Sequence, residues 1–97
     1  MSYYSAYLED IKKRKKIGLG PKPIDNGELI KEIISFIVDK KNKERKKCLS
    51  FFIYNVLPGT TNAALEKAKF LKEIILKKIK VDEISDDFAF EMLSHMK

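Results

Sequence analysis

The sequence is poor in the residues that build cofactor and catalytic sites. It holds one cysteine, Cys48, one histidine, His95, and no tryptophan. A lone cysteine excludes an internal disulfide, and in an apolar run it behaves as a small hydrophobe. Structural zinc takes about four Cys or His ligands and iron–sulfur clusters are held by Cys thiolates, so one residue of each kind serves neither. No apolar run approaches the roughly 20 residues that cross a bilayer, and Met1-Ser2-Tyr3-Tyr4 lacks the basic-then-apolar order of a signal peptide. The chain therefore reads as cytoplasmic, with no membrane partner. Proline and glycine, at three and four residues, concentrate in residues 18–27 and 58–59, leaving long uninterrupted segments between.

What is present is an ordinary core and a surplus of lysine. The 97 residues are 44% hydrophobic and 35% charged, which suits one folded domain spanning 1–97 and not a disordered chain. The net charge of +6 lies wholly in the first half: residues 1–50 carry 13 Lys and Arg against 7 Asp and Glu, whereas residues 51–97 carry 7 of each. Such asymmetry marks either a surface for nucleic acid or an acidic partner, or lysine spent on solubility.

The apolar spacing predicts five helices. Tyr4, Tyr7, Leu8 and Ile11 share a face after a Ser2 cap, and Lys12–Lys16 fall in the last turns, where the helix dipole favours cations. Gly18 then supplies a left-handed stop, followed by Pro21 and Pro23. Asp25 and Glu28 fit a capping box opening a second helix, whose apolar residues from Leu29 to Val38 cover about half its circumference. Residues 48–57 suit either a buried strand or a helix; a helix from near Asn42 is favoured, because a lone strand would leave its backbone unpaired. After the Pro58-Gly59 turn, Thr61 or Asn62 caps a fourth helix running to about Lys80, with Ala64, Ala68, Leu71, Ile75 and Ile79 as its stripe. Ser85 caps a fifth helix, with Asp86 and Asp87 in its first turn and Phe88, Ala89, Met92, Leu93 and Met96 on its apolar face. The expected architecture is all-α, about five antiparallel helices in a stack.

No constellation in this pattern performs catalysis. Gly18 and Gly20 have no preceding strand and no following Gly-Lys-Ser/Thr, so they form a cap and turn and not a phosphate loop. Asp86 and Asp87 diverge by 100° on a helix, and His95 suits a surface cation near a helix end. Phe51, Phe52 and Tyr54 beside Lys46 and Lys47 resemble a stacking platform, but core packing accounts for them better, with Phe51 and Tyr54 turned into a second layer.

Several strings in order carry a family resemblance: Tyr7-Leu8-Glu9, then Gly20-Pro21-Lys22-Pro23-Ile24-Asp25, Val56-Leu57-Pro58-Gly59, Lys67-Ala68-Lys69-Phe70-Leu71, and Glu91-Met92-Leu93-Ser94-His95-Met96. Together they resemble the N-terminal, HEAT-like domain of the aconitate hydratase B family over nearly the whole chain. The stretch Asp39–Lys47 departs most from that pattern. The resemblance implies a fragment of a longer multidomain lyase of the tricarboxylic acid cycle. That parent interconverts citrate and isocitrate through cis-aconitate, and also hydrates the 2-methyl analogue. It uses a 4Fe–4S cluster held by three cysteines of a separate catalytic core. No catalytic, cofactor-binding or metal-binding residue carries over to this chain. What the resemblance does imply is contact with the rest of the aconitase polypeptide, a homodimer contact, and a secondary role in binding mRNA. The candidate RNA or acidic-partner residues are Lys12, Lys13, Arg14, Lys15 and Lys16, with Lys40, Lys41, Lys43, Arg45, Lys46 and Lys47. Two other functions fit the composition: a free-standing helical adaptor, and a basic nucleic-acid-binding module.

Overall fold

The computed structural model describes residues 2–96, and within them the chain forms five helices and no sheet. They are α1 (Tyr3–Lys16), α2 (Gly27–Val38), α3 (Arg45–Tyr54), α4 (Asn62–Ile75) and α5 (Asp86–Ser94). The all-α expectation holds. No helix among these residues is long and apolar enough to cross a membrane.

Side chains at three helix starts do what their chemistry predicts. The Ser2, Thr61 and Ser85 hydroxyls accept from the backbone N–H groups of Ser5, Ala64 and Phe88, at 3.0–3.1 Å, each satisfying a donor the helix leaves free. The start of α2 differs from expectation, because Asn26 and not Asp25 is the cap, its side chain accepting from the Glu28 N–H at 2.8 Å. Asp25 is unavailable for that role: its neighbour Ile24 forms a parallel bridge with Val56, and its own carbonyl accepts from Ala63. Glu28 accordingly lies beside Lys31 at 3.7 Å and does not reach back to the cap.

Helix ends show two uses of one motif. At the end of α1 the N–H groups of Gly18 and Leu19 donate to Lys15 and Arg14 carbonyls, with Gly18 at φ +79°. The end of α4 repeats it with Lys77 in the left-handed position, φ +65°, the N–H groups of Lys77 and Lys78 donating to Ile74 and Glu73. The fourth helix therefore stops at Ile75, five residues before the expected Lys80. A paired Lys77–Asp86 contact holds this non-glycine turn against the start of α5.

Helix α3 is likewise shorter than expected. Asn42 does not begin it; its side chain accepts from the Glu44 N–H in a turn, and the helix starts at Arg45. Of residues 48–57, those to Tyr54 are helical and Asn55 caps the helix, whereas Val56 forms a parallel bridge with Ile24, made by Ile24 N–H to Asn55 O and Leu57 N–H to Ile24 O, both 2.8 Å. The helix reading of this segment holds to Tyr54, and the rest contributes one isolated bridge and not a strand.

The core gathers around α2. Ile30, Ile33 and Ile37 are fully buried, and α2 packs against α1, α3 and α4, while α5 packs on α4. Edge-on aromatic pairs knit the layers: Tyr4–Phe36, Tyr7–Phe51 and Phe52–Phe70, with ring centroids 5.2–5.5 Å apart. Where α2 and α4 begin side by side, a Cβ on Gly27 would sit 3.1 Å from Asn62 Cβ, so the close approach uses the missing side chain. The Tyr7 hydroxyl donates to Lys22 O at 2.9 Å and Arg14 Nε to Gly20 O at 2.8 Å, pinning the proline-rich loop to α1. Two residues escape the expected core: Val38 is exposed at the end of α2, and Tyr54 is 81% exposed and not turned into a second layer. Phe51 does pack inward, on Tyr4 and Tyr7.

Cys48 and Tyr4 meet inside this core. The Tyr4 hydroxyl has no hydrogen-bond partner of good geometry, and burial raises its pKa; burial likewise pushes the Cys48 thiol from 9.0 to about 11. A folded-state pKa above the unfolded one means stability that is whole below pH 9 and lost as pH rises towards 11. Tyr4 and Tyr7 act in the same sense, and Lys67, whose pKa is lowered, acts in the opposite one. Chemical denaturation at pH 8 and pH 10.5 isolates the thiol when compared with Cys48→Ala. The wild type is expected to lose on the order of 2 kcal/mol more than the variant over that interval, and identical pH dependence in both would contradict the assignment.

Candidate functional site

The feature of the fold with most chemical potential is a buried lysine. On α4 the inward face consists of Ala63, Ala64, Lys67, Phe70, Leu71 and Ile74, so the stripe is rotated from the expected one and has a cation at its centre. Lys67 is only 7% exposed. Its Nζ donates to the Ile53 carbonyl at 3.3 Å and lies 5.4 Å from the centre of the Phe52 ring. Ile53 belongs to the last turn of α3, whose carbonyls lack helical partners and carry the negative end of the dipole. That placement explains why a cation is tolerated there without a carboxylate. The compensation is incomplete, since burial still lowers the Lys67 pKa.

Lys67 forms the floor of a cleft of about 240 Å³ between the end of α3, the middle of α4 and one side of α5 from Phe88 onward. Its walls are Ile53, Val56, Phe88, Met92 and Met96, all partly buried, and Pro58, Glu91 and His95 stand exposed at its rim. The small residues Ala63 and Ala64 on α4 and Ala89 on α5 are buried. Lys67 lies outside the stripe expected from the sequence for the fourth helix and was not singled out there. The signal was present, because Lys67 falls three and four residues from Ala63, Ala64, Phe70 and Leu71, in register with the buried stripe.

The eleven basic residues singled out from sequence divide into two groups. Tyr4 stacks beside Phe51 and Tyr7 reaches Asn55, so α1 and α3 run in the same direction. Lys12, Lys13, Arg14, Lys15 and Lys16 therefore lie at one end of this pair. Lys40, Lys41, Lys43, Arg45, Lys46 and Lys47 lie at the other, roughly 20 Å away at 1.5 Å per helical residue. Within each group the lysines are exposed, and Lys12 approaches Glu9 at 3.8 Å. The two arginines have internal partners. Arg14 holds the Gly20 carbonyl, and Arg45 donates twice to Glu83, at 2.5 and 2.7 Å, and from Nε to Ile37 O at 2.8 Å. The hydrogen bonds from Arg45 hold the Glu83 carboxyl below the usual carboxylate range. Lys46 and Lys47 sit in the first turn of α3, a helix with no side-chain cap, so their charge adds to the positive end of the dipole.

Among the described residues no group of three or more His, Cys, Asp or Glu could hold a metal ion. Cys48, the one thiol, is fully buried and kept protonated by that burial, so the chain's donors do not fit an iron–sulfur cluster. Fold and site define a small all-α domain with a cleft floored by a buried lysine and no catalytic constellation among the described residues. The family described as the Aconitate B N-terminal domain matches residues 6–97, and the chain belongs to that family. Comparison with the curated proteins gives no match.

A test of the buried cation follows from its lowered pKa. Replacing it with an apolar side chain of similar length removes a desolvated charge, at the loss of one long hydrogen bond to Ile53. Lys67→Met is expected to leave stability in urea unchanged or raised by up to about 2 kcal/mol near pH 7. A loss above about 1 kcal/mol would show that the capping bond outweighs burial.

Proposed function

We propose that this chain is the N-terminal, non-catalytic domain of an aconitate hydratase and that it works by protein contact. The observation that carries the reading is the family match over residues 6–97. The chemistry of the residues supports it: a fully buried, protonated thiol and a single histidine supply neither the three thiolates of a cluster nor a nucleophile with its base. In this reading citrate and isocitrate are interconverted through cis-aconitate by a catalytic core, and the helical domain is the surface by which that core is held, dimerised or positioned.

Contact with protein is favoured over contact with mRNA by the distribution of surface features. The two lysine groups stand at opposite ends of α1 and α3, so one RNA strand would have to span both ends to use them together. Large apolar side chains are exposed as well, among them Leu65 on α4, Leu76 just past its end, Phe90 on α5 and Tyr54 at the end of α3, with Ile17 and Val38 beside the lysine groups. Exposed large apolar groups are the usual raw material of a protein interface.

Sedimentation and calorimetry with a cluster-loaded B-type aconitase core lacking its own N-terminal domain test this role. The chain is expected to bind that core with one-to-one stoichiometry and to stay colourless and inactive when treated alone with iron and sulfide. Citrate turnover by the chain alone would overturn the non-catalytic reading. Failure to bind the core would overturn the scaffold reading and leave a free-standing adaptor in its place.

A further inference from the structure

A buried ammonium needs acceptors, and Lys67 has few. It carries three N–H donors. One is directed at the Ile53 carbonyl across 3.3 Å, near the limit of a useful bond, and the Phe52 ring offers its face at 5.4 Å. The ion pairs of the described residues involve Lys12, Lys31, Arg45, Lys69 and Lys77, and none involves Lys67. A cation so placed is an incomplete site: donors remain for an acceptor that enters from the cleft.

The cleft defines what else that acceptor must be. Its walls are aliphatic, aromatic and thioether groups, and its volume of about 240 Å³ equals roughly eight liquid waters. One cation at the floor neutralises one negative charge. A second or third carboxylate would be desolvated against Met92, Met96 and Phe88, or would stand at the exposed rim between Glu91, which repels it, and His95, where water competes for the contact. Methionine walls suit an unbranched chain, since they adapt to its conformations.

We propose that the α3–α4–α5 cleft binds a small aliphatic monocarboxylate, with the carboxylate on Lys67 Nζ and the hydrocarbon chain between Met92, Met96 and Phe88. The site rests on geometry and burial in this chain and is independent of whether an aconitase core is the domain's partner. A carboxylate at this depth forms a charge-assisted bond in a medium of low polarity, where such bonds are strongest.

The experiment is a nuclear magnetic resonance titration of the 97-residue chain with hexanoate, following the Met92 and Met96 methyl groups. In parallel the chain is titrated with 1-hexanol, which has the chain without the charge, and with citrate, which has the charge without the chain. Hexanoate is expected to shift both methyl resonances to saturation, with hexanol binding at least about tenfold more weakly, the factor expected for one charged hydrogen bond, and citrate also more weakly, because its further carboxylates would be desolvated without compensation. Lys67→Met should weaken hexanoate by about the same factor and leave hexanol unchanged. Met92→Trp, which fills the cleft but keeps Lys67, should weaken both. Absence of saturable shifts, equal binding of hexanol and hexanoate, or citrate binding as tightly as hexanoate would each overturn the proposal.

Discussion

The width of the apolar face of α2 is the constraint from which the rest of the fold follows. Ile30, Ile33 and Ile37 are fully buried, and Leu29 joins them, on a helix of only twelve residues. One neighbour cannot cover such an arc, so α1, α3 and α4 all pack against it. Each neighbour then needs its own fixed approach. The Ile24–Val56 bridge and the Asn55–Lys22 bond tie the proline-rich loop to the end of α3, and the Tyr7–Lys22 bond ties it to α1. Gly27 lets α4 start against α2, and Arg45 bridges the end of α2 to Glu83 in the segment before α5.

Because α4 covers α2 with one side and carries α5 on another, its buried face is crowded and has a polar member. Lys67 lies where α3 ends, and its ammonium answers the unpaired carbonyl of Ile53. A helix C-terminus is among the few places inside a domain where a lone cation meets a favourable field. The same placement opens the ammonium to the cleft between α3 and α5. A stabilising contact and an unfilled donor are thus properties of one side chain, and the second gives this all-α domain a recognisable binding feature.

Local chemistry was legible in the sequence and long-range chemistry was not. Ser2, Thr61, Ser85 and Gly18 act within a few residues of themselves, and their caps and stop appear as expected. Asp25 and Asn26 are equally good caps by themselves; the choice was made by Ile24 pairing with Val56, 32 positions along the chain. The end of α4 gave no glycine to read, because Lys77 takes the left-handed position with Asp86 beside it. Arg45 looked like part of a basic surface until its partner Glu83 came within reach through folding. Lys67 was not singled out because composition treats all lysines alike, whereas its register with Ala63, Phe70 and Ile74 marked it as internal.

The chain belongs to the Aconitate B N-terminal domain family, and in the proposed reading it works beside the chemistry of an aconitase core. Its own contribution is then a surface, and the centre of that surface is the state of one amine. Direct observation of the Lys67 side-chain nitrogen by nuclear magnetic resonance, titrated from neutral to alkaline pH in the intact chain, measures that state. The account predicts a midpoint below 10.5, the ordinary lysine value, because burial disfavours the ammonium, and a slowed exchange of its protons with water. A midpoint at or above 10.5 with free exchange would mean that Lys67 lies in solvent and that the cleft has no charged floor.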